Sequence, residues 1–257
     1  MSTIPFSHIF STATGNAVKT VEAHQEPQEL MFYAAWFCPF VQRTWITLEE
    51  RGIPYQYKEV NPYKKEKHFL EINPKGLVPA IEYKGKSIYE SLILCEFLED
   101  EFPSYKPNLL PVDPLERAYT RIWIDFVTKS IVPPYMRLIQ AQTDDKRAAA
   151  LADFNKGLRA FAEKVKGPYF LGDQFSLVDI AIAPFVIREY ILAENRGFDR
   201  AVVGGGWKEY ADNLLKRESL VKTTSEREKY APIYHRYLKD EAESEAAKAI
   251  REGRPMP

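Results

Sequence analysis

Cys38 is the residue of this chain best placed to do chemistry. It follows the apolar run Leu30–Ala34 and stands in Trp36-Phe37-Cys38-Pro39-Phe40, after which Val41, Trp45 and Leu48 repeat at helical spacing. A cysteine that leaves a buried strand and opens a helix, with proline at the first helical position, faces backbone N–H groups and the positive end of the macrodipole. Such a setting lowers a thiol pKa from about 8.5 into the range of roughly 3.5–7.5, so the nucleophilic thiolate exists at neutral pH. Val41 stands where a dithiol Cys-x-x-Cys motif would have its second cysteine. A mixed disulfide with an outside thiol is therefore the expected chemistry. The competing reading is a buried, inert thiol, the commoner fate of cysteine. Cys95, inside the apolar stretch Leu92–Leu98, takes that reading and is expected to be a small core filler.

Two short motifs further on could hold a ligand for that thiol. In Leu77-Val78-Pro79, Pro79 opens a strand after the Gly76 turn, which makes Val78–Pro79 a candidate cis bond. The backbone of Val78 could then pair with an extended peptide as an added strand. Glu90-Ser91 begins a helix, so the Ser91 N–H and hydroxyl can bind a carboxylate while Glu90 engages an amine; a plain helix cap is the alternative. A peptide with both an α-amino and an α-carboxylate group fits that pair, and Lys65 is a candidate for a second carboxylate. No metal is expected, because His8, His24, His68 and His235 are scattered without ligand spacing.

The elements that must position these residues can be read from periodicity. Leu30–Ala34 is a strand, and a helix through Val41, Trp45 and Leu48 ends at Gly52. Tyr55–Val60 is a second strand, followed by a short helix through His68, Phe69 and Ile72. Leu77–Tyr83, the turn Lys84-Gly85 and Lys86–Ile88 form a hairpin, and a helix covers 90–102. The order β-α-β-α-β-β-α predicts a small sheet with helices packed on it. After the proline-rich stretch 103–114 strand signals almost vanish. Ala118, Ile122 and Phe126 mark a helix that Pro133-Pro134 is expected to interrupt, and a second helix fills 144–165. Ser176-Leu177-Val178-Asp179 is a capping-box pattern opening the apolar stretch Ile180–Ile187, expected inside a bundle with Pro184 bending it. Gly204-Gly205-Gly206 reads as a loop before Trp207, Tyr230 through Leu238 as an amphipathic helix, and the charged end from Glu241 as a fraying tail.

The totals bound what such a chain can do. At 257 residues, with 45% hydrophobic and 28% charged residues, it can bury a real core. The 35 basic and 36 acidic residues are interspersed to a net charge of -1, which offers no field for nucleic acid or an anionic membrane. No apolar run approaches the roughly 20 residues of a spanning helix. With no secretory start and only two cysteines, a reducing, cytoplasmic setting is expected.

Phe37–Arg43, Asn73–Pro79 and Ile88–Ser91, in that order, resemble the N-terminal domain of the omega-class glutathione transferases. Ser176–Ala181 resembles the capping motif that glutathione transferases carry in their helical domain, Pro184–Arg188 follows it in a way similar to omega proteins, and the likeness runs from about Leu30 to Tyr237. The resemblance implies a thioredoxin-like α/β domain followed by an all-α bundle. The expected organisation is an N-terminal extension over 1–28, taken as flexible, a glutathione-binding domain over 29–103, a linker over 104–112 and a helical domain over 113–257. Cys38 matches the cysteine that forms a mixed disulfide with glutathione, the implied co-substrate. Val78, Pro79, Glu90, Ser91 and Lys65 match its binding residues, and Phe40 a wall of the site; Trp36, Tyr135 and Arg188 are candidates for the acceptor pocket. The implied activities are thiol transfer, dehydroascorbate reduction and removal of glutathione from adducts, with a hydrophobic or disulfide second substrate and a homodimeric state. Conjugation of glutathione to electrophiles, a step in a biosynthetic pathway, or a non-catalytic ligand carrier are the alternatives.

Overall fold

The first sheet grows from the alternation in Leu30–Ala34, which sends Phe32 and Ala34 to one side and Tyr33 to the other. A computed structural model describes residues 11–64 and 66–256, and in it this segment is strand β1 (Leu30–Ala34). Helix α1 (Gly15–Ala23) precedes it, and α2 (Pro39–Arg51), β2 (Gln56–Glu59), α3 (Lys67–Ile72), β3 (Ala80–Tyr83), β4 (Lys86–Tyr89) and α4 (Ser91–Glu101) follow. The strand order is β2-β1-β3-β4, with β1 parallel to β2 and the other pairings antiparallel. The order β-α-β-α-β-β-α read from periodicity is the order found. Gly52 ends α2 in the left-handed conformation, φ 63°, where a Cβ would be strained.

The two faces of the sheet are filled differently. Tyr33 packs with Phe69 and Ile72 of α3 and with Ala80. On the opposite face the Phe32 and Trp45 rings both lie against Tyr57, at 5.9 and 5.0 Å between centroids, and Trp45 Nε1 donates to Tyr55 Oη at 2.7 Å. Burying a side chain of this size contributes about 1.5–3 kcal/mol, so this layer sets the seat of α2.

The chain divides into two compact units. One comprises the residues through Asn108 together with Glu218–Ile233; the other comprises Leu109–Arg217 with the residues from Tyr234 on. In the first, the lead-in expected to be flexible contains α1, whose Ala17 and Thr20 are buried. The returning helix α12 (Glu218–Lys222) packs on α1 and α2: the Thr20 hydroxyl donates to the Lys222 carbonyl at 2.8 Å. Gln42 of α2 donates to the Thr223 carbonyl and the Thr224 hydroxyl, both at 3.0 Å.

The second unit is helical: α5 (Pro114–Phe126), α6 (Val132–Gln140), α7 (Asp144–Ala162), α8 (Leu177–Ile187), α9 (Glu189–Arg196), α10 (Arg200–Val203), α11 (Gly205–Leu215) and α14 (Glu245–Glu252), with α13 (Arg227–Leu238) ending in it. Three expectations are corrected here. Pro133-Pro134 does not stop the chain's helical course. A π-helical turn over Val127–Ile131 absorbs the missing donors, and the prolines sit in the first turn of α6, where no N–H is needed. Gly205 and Gly206 belong to α11, leaving only Gly204, at φ 131°, as the turn. The charged tail is not frayed. Ala246, Ala247 and Ala249 make a small apolar face on α14, Ser244 caps it, and Gln140 of α6 donates to the Ala247 carbonyl at 3.2 Å. Charge density had hidden that face.

Asp179 organises the bundle. Fully buried, it accepts from the Ser176 N–H and hydroxyl at 2.8 and 2.7 Å, closing the capping box. It also accepts from the Phe170 N–H and the Tyr210 hydroxyl, each at 2.8 Å. Replacing it by alanine strands four donors in the interior. Urea unfolding of Asp179→Ala should show a loss of more than about 3 kcal/mol, while Tyr210→Phe, which removes one donor, loses about 1.

Candidate active site

Sheet register brings the chemical motifs to one end of the first unit. Tyr33 pairs with Ala80, so the exit of β1 toward Cys38 lies beside the entry to β3 from Val78-Pro79. Ala80 pairs in turn with Tyr89, which sets the exit of β4 toward Glu90-Ser91 at the same end. Helices α2 and α4 both begin there, so two positive helix ends face one region. Anionic groups are favoured at that end.

Cys38 is the N-cap of α2, with extended backbone (φ -77°, ψ 125°) and Pro39 behind it. Its N–H donates to the Ala35 carbonyl at 2.9 Å, closing a four-residue turn, and its carbonyl accepts from the Gln42 N–H at 3.1 Å. It is half-buried and not in a disulfide. Phe37 stacks on Tyr63, planes 3° apart and centroids at 6.2 Å. Phe40 is half-buried too, and the Arg43 guanidinium lies 5.3 Å from its ring centroid. Arg43 itself is 2% exposed; burial lowers its pKa to about 10, against the opposing pull of Cys95 and Cys38. A buried cation thus acts electrostatically on both sulfurs.

The Val78–Pro79 peptide is cis, as the strand-opening proline suggested. The loop before it is held by buried Asn73, whose Nδ2 donates to the Leu77 carbonyl at 2.8 Å while its Oδ1 accepts from the Lys75 N–H at 3.1 Å. Glu90 has φ 79°, sparsely populated for a residue with a Cβ, and such outliers gather at functional sites. Its carboxylate accepts from Lys75 Nζ at 2.6 Å, and Ser91 behind it is buried at the start of α4.

The remaining candidates fall elsewhere. Lys65 lies outside the described residues. Trp36 is 1% exposed and packs edge-on to Tyr230 at 5.1 Å. In the helical unit Tyr135 and Arg188 meet: the Tyr135 hydroxyl donates to the Arg188 carbonyl at 3.4 Å, and both are enclosed. Sequence reasoning assigned no role to Lys75, Arg43 or Glu59. Lys75 sits inside a quoted motif, whereas nothing in the spacing of Glu59 pointed to Cys38. The Glu59 carboxylate accepts from the Trp36 N–H at 3.1 Å and from the Tyr57 hydroxyl at 2.9 Å. Crowding of protein around this carboxyl raises it to about 8 against the pull of both donors. As a whole residue Glu59 is exposed, on the edge strand β2.

A thioredoxin-like unit joined to a helical unit is the architecture of the glutathione transferases, and the cysteine at its first strand–helix turn is the feature that resembles the omega class. Two family models match the chain, "Glutathione S-transferase, N-terminal domain" over residues 37–101 and "Glutathione S-transferase, C-terminal domain" over residues 142–212. Glutathione S-transferase omega-1 of Sus scrofa is 36% identical over 172 residues, 65% of this chain and 70% of that protein. The crystal structure of glutathione transferase Omega 3C from Trametes versicolor is 66% identical, with a TM-score of 0.83 over 84% of this chain and 98% of that one. A rice glutathione transferase solved in complex with glutathione is 27% identical, with a TM-score of 0.75 over 82% of this chain and 98% of that one. The chain belongs to the glutathione S-transferase family, as an omega-like, cysteine-type member. Among the described residues no group of His, Cys, Asp and Glu could hold a metal, and no helix is long and apolar enough to cross a membrane.

The two thiols should differ in reactivity. Cys95 is fully buried and accepts from the Thr47 hydroxyl at 3.2 Å, and burial pushes its pKa to about 11. At neutral pH it stays protonated. Iodoacetamide at pH 7.5 should therefore add one label to the folded protein, mapping to Cys38 by mass spectrometry, and two after denaturation.

Proposed function

We propose that the protein is a glutathione-dependent thiol transferase with Cys38 as its nucleophile. The observation that carries this reading is the half-buried Cys38 at the N-cap of α2, at the sheet end that also holds Val78-Pro79 and Glu90-Ser91. The Cys38 thiolate attacks the glutathione sulfur of a glutathionyl mixed disulfide. An S–S bond forms to Cys38, and the original S–S bond breaks to release the second substrate as its thiolate. A second glutathione thiolate attacks the bound glutathione sulfur, yielding oxidised glutathione and restoring Cys38. Dehydroascorbate and phenacyl adducts of glutathione are further substrates of this reading.

Glutathione itself would lie along the sheet end. Its cysteinyl backbone pairs with Val78 next to Pro79, its γ-glutamyl carboxylate takes the Ser91 N–H and hydroxyl, and its amine takes Glu90. The Lys75–Glu90 contact at 2.6 Å is an ammonium–carboxylate pair of the kind proposed for that amine. Lys65 takes the glycyl carboxylate, and Phe40 walls the site. Trp36 in the first unit, and Tyr135 with Arg188 in the second, remain the residues proposed for acceptor contacts, each enclosed within its own unit. A reducing, cytoplasmic compartment suits a catalytic thiolate.

Cys38→Ala should abolish turnover of a glutathionyl mixed disulfide, by at least about a thousandfold, while isothermal titration still detects glutathione. Full turnover in that variant sinks the mechanism. High activity with 1-chloro-2,4-dinitrobenzene alone favours conjugation instead, and no turnover with either substrate favours a carrier.

A homodimer completes the proposal. On α5, Leu115, Tyr119 and Ile122 form a stripe at i, i+4, i+7, and Leu115 and Ile122 are 76% and 61% exposed. Light scattering should give a mass near twice 29.7 kDa for the native chain and a single-chain mass for Ile122→Glu.

A further inference from the structure

The turn that presents Cys38 begins where the β1–β2 ladder runs out. The last ladder bond here is the Val60 N–H to the Ala34 carbonyl at 2.7 Å. In a parallel pair the next donor on the β1 side belongs two residues on, to Trp36, whose side chain is buried. Instead of a backbone carbonyl, the side chain of Glu59 takes that N–H, at 3.1 Å. Its second oxygen accepts from the Tyr57 hydroxyl at 2.9 Å, and Tyr57 is 2% exposed, so the carboxyl's rotamer is set from a buried anchor.

Trp36 is the second residue of the turn that the Cys38 N–H closes on the Ala35 carbonyl. That turn decides where the Cβ–Sγ bond of Cys38 points relative to the first N–H groups of α2. A chain of hydrogen bonds therefore runs from Tyr57 through Glu59 and the Trp36 amide to the turn that carries Cys38. We propose that Glu59 is a positioning residue for the Cys38 thiolate, clamping the Ala35–Cys38 turn that sets how the side chain of the α2 N-cap is presented. The inference rests on the thiol-transfer reading for its consequence in turnover, though its effect on the sulfur can be measured without glutathione.

A neutral carboxyl can keep the clamp: its C=O accepts from Trp36 while its O–H and the Tyr57 hydroxyl share the other contact. Glutamine reproduces that neutral group, with a carbonyl for Trp36 and an amide for the Tyr57 oxygen. Alanine leaves the Trp36 N–H without its acceptor.

The test is the pH dependence of Cys38 alkylation by iodoacetamide, read beside mixed-disulfide kinetics, in Glu59→Ala, Glu59→Gln and Tyr57→Phe. With a positioning role, Glu59→Ala raises the alkylation midpoint by about one pH unit, a tenfold loss of thiolate at a fixed pH below it. It also lowers kcat with little change in KM for glutathione, and Glu59→Gln stays close to the native protein in both. If the side chain matters only as a nearby negative charge, alanine and glutamine both lower the midpoint, which overturns the proposal. An unchanged midpoint in folded Glu59→Ala overturns it too. Should that variant fail to fold, Tyr57→Phe serves in its place: a smaller upward shift supports the clamp, and no shift rejects it. Native protein that alkylates normally but turns over no mixed disulfide refutes the thiol-transfer reading and leaves this measurement intact.

Discussion

The strand-to-helix turn at Cys38 imposes a constraint that much of the first unit serves: α2 must begin at that residue, with its first amides aligned behind it. An α-helix leaves its first N–H groups without internal partners, and a thiolate at the N-cap answers them with charge. Pro39 suits that position because it has no N–H to leave unmet and its φ is already helical. Moving the helix by one residue would put a different side chain at its end. The seat of α2 against Phe32, Trp45 and Tyr57, and the bonds from Gln42 to Thr223 and Thr224, are the packing that holds it in place.

The same sheet end draws in two more segments of chain, the loop into β3 and the exit from β4. Antiparallel pairing of β3 with both β1 and β4 folds two loops back beside the cysteine turn. One loop is shaped by Asn73 and the cis peptide at Val78–Pro79, the other by Glu90 in an unfavourable backbone conformation. Backbone strain of that kind costs of order 1–3 kcal/mol and survives only where its surroundings over-determine it. Here the hairpin and the start of α4 do so. The second unit meets a comparable demand with one buried carboxylate, Asp179, which ties a helix start to the Phe170 N–H and the Tyr210 hydroxyl.

Local chemistry was legible in the sequence wherever one short segment contained the whole reason for a structure. The Cys38-Pro39 opening, the Gly52 stop, the hairpin around Lys84-Gly85 and the capping box at Ser176–Asp179 are each settled within a few residues, by φ preferences, missing donors or side chains that bond their own backbone. The period-2 and period-3.6 patterns then ordered the strands and helices of the first unit, because burial on one face leaves a repeating mark. Cys95 as core filler followed the same way.

Where partners are distant in the chain, only the tertiary structure could decide. The helix α1 in the lead-in is explained by α12, about two hundred residues later, and α14 by a face of α6; neither neighbour is visible in local composition. The Pro133-Pro134 pair breaks a helix by local rules, yet a π-helical turn just before it keeps the chain on course. Glu59 is the sharpest case. Read along the chain it is an ordinary acidic residue on an edge strand, yet its carboxylate takes the N–H of Trp36, twenty-three residues earlier. Sequence thus pointed to the candidate residues and to where helices and strands begin, since both readings depend on neighbours along the backbone. Which groups hold the Cys38 turn in place was decided by the fold, because hydrogen-bond partners are chosen by proximity in space.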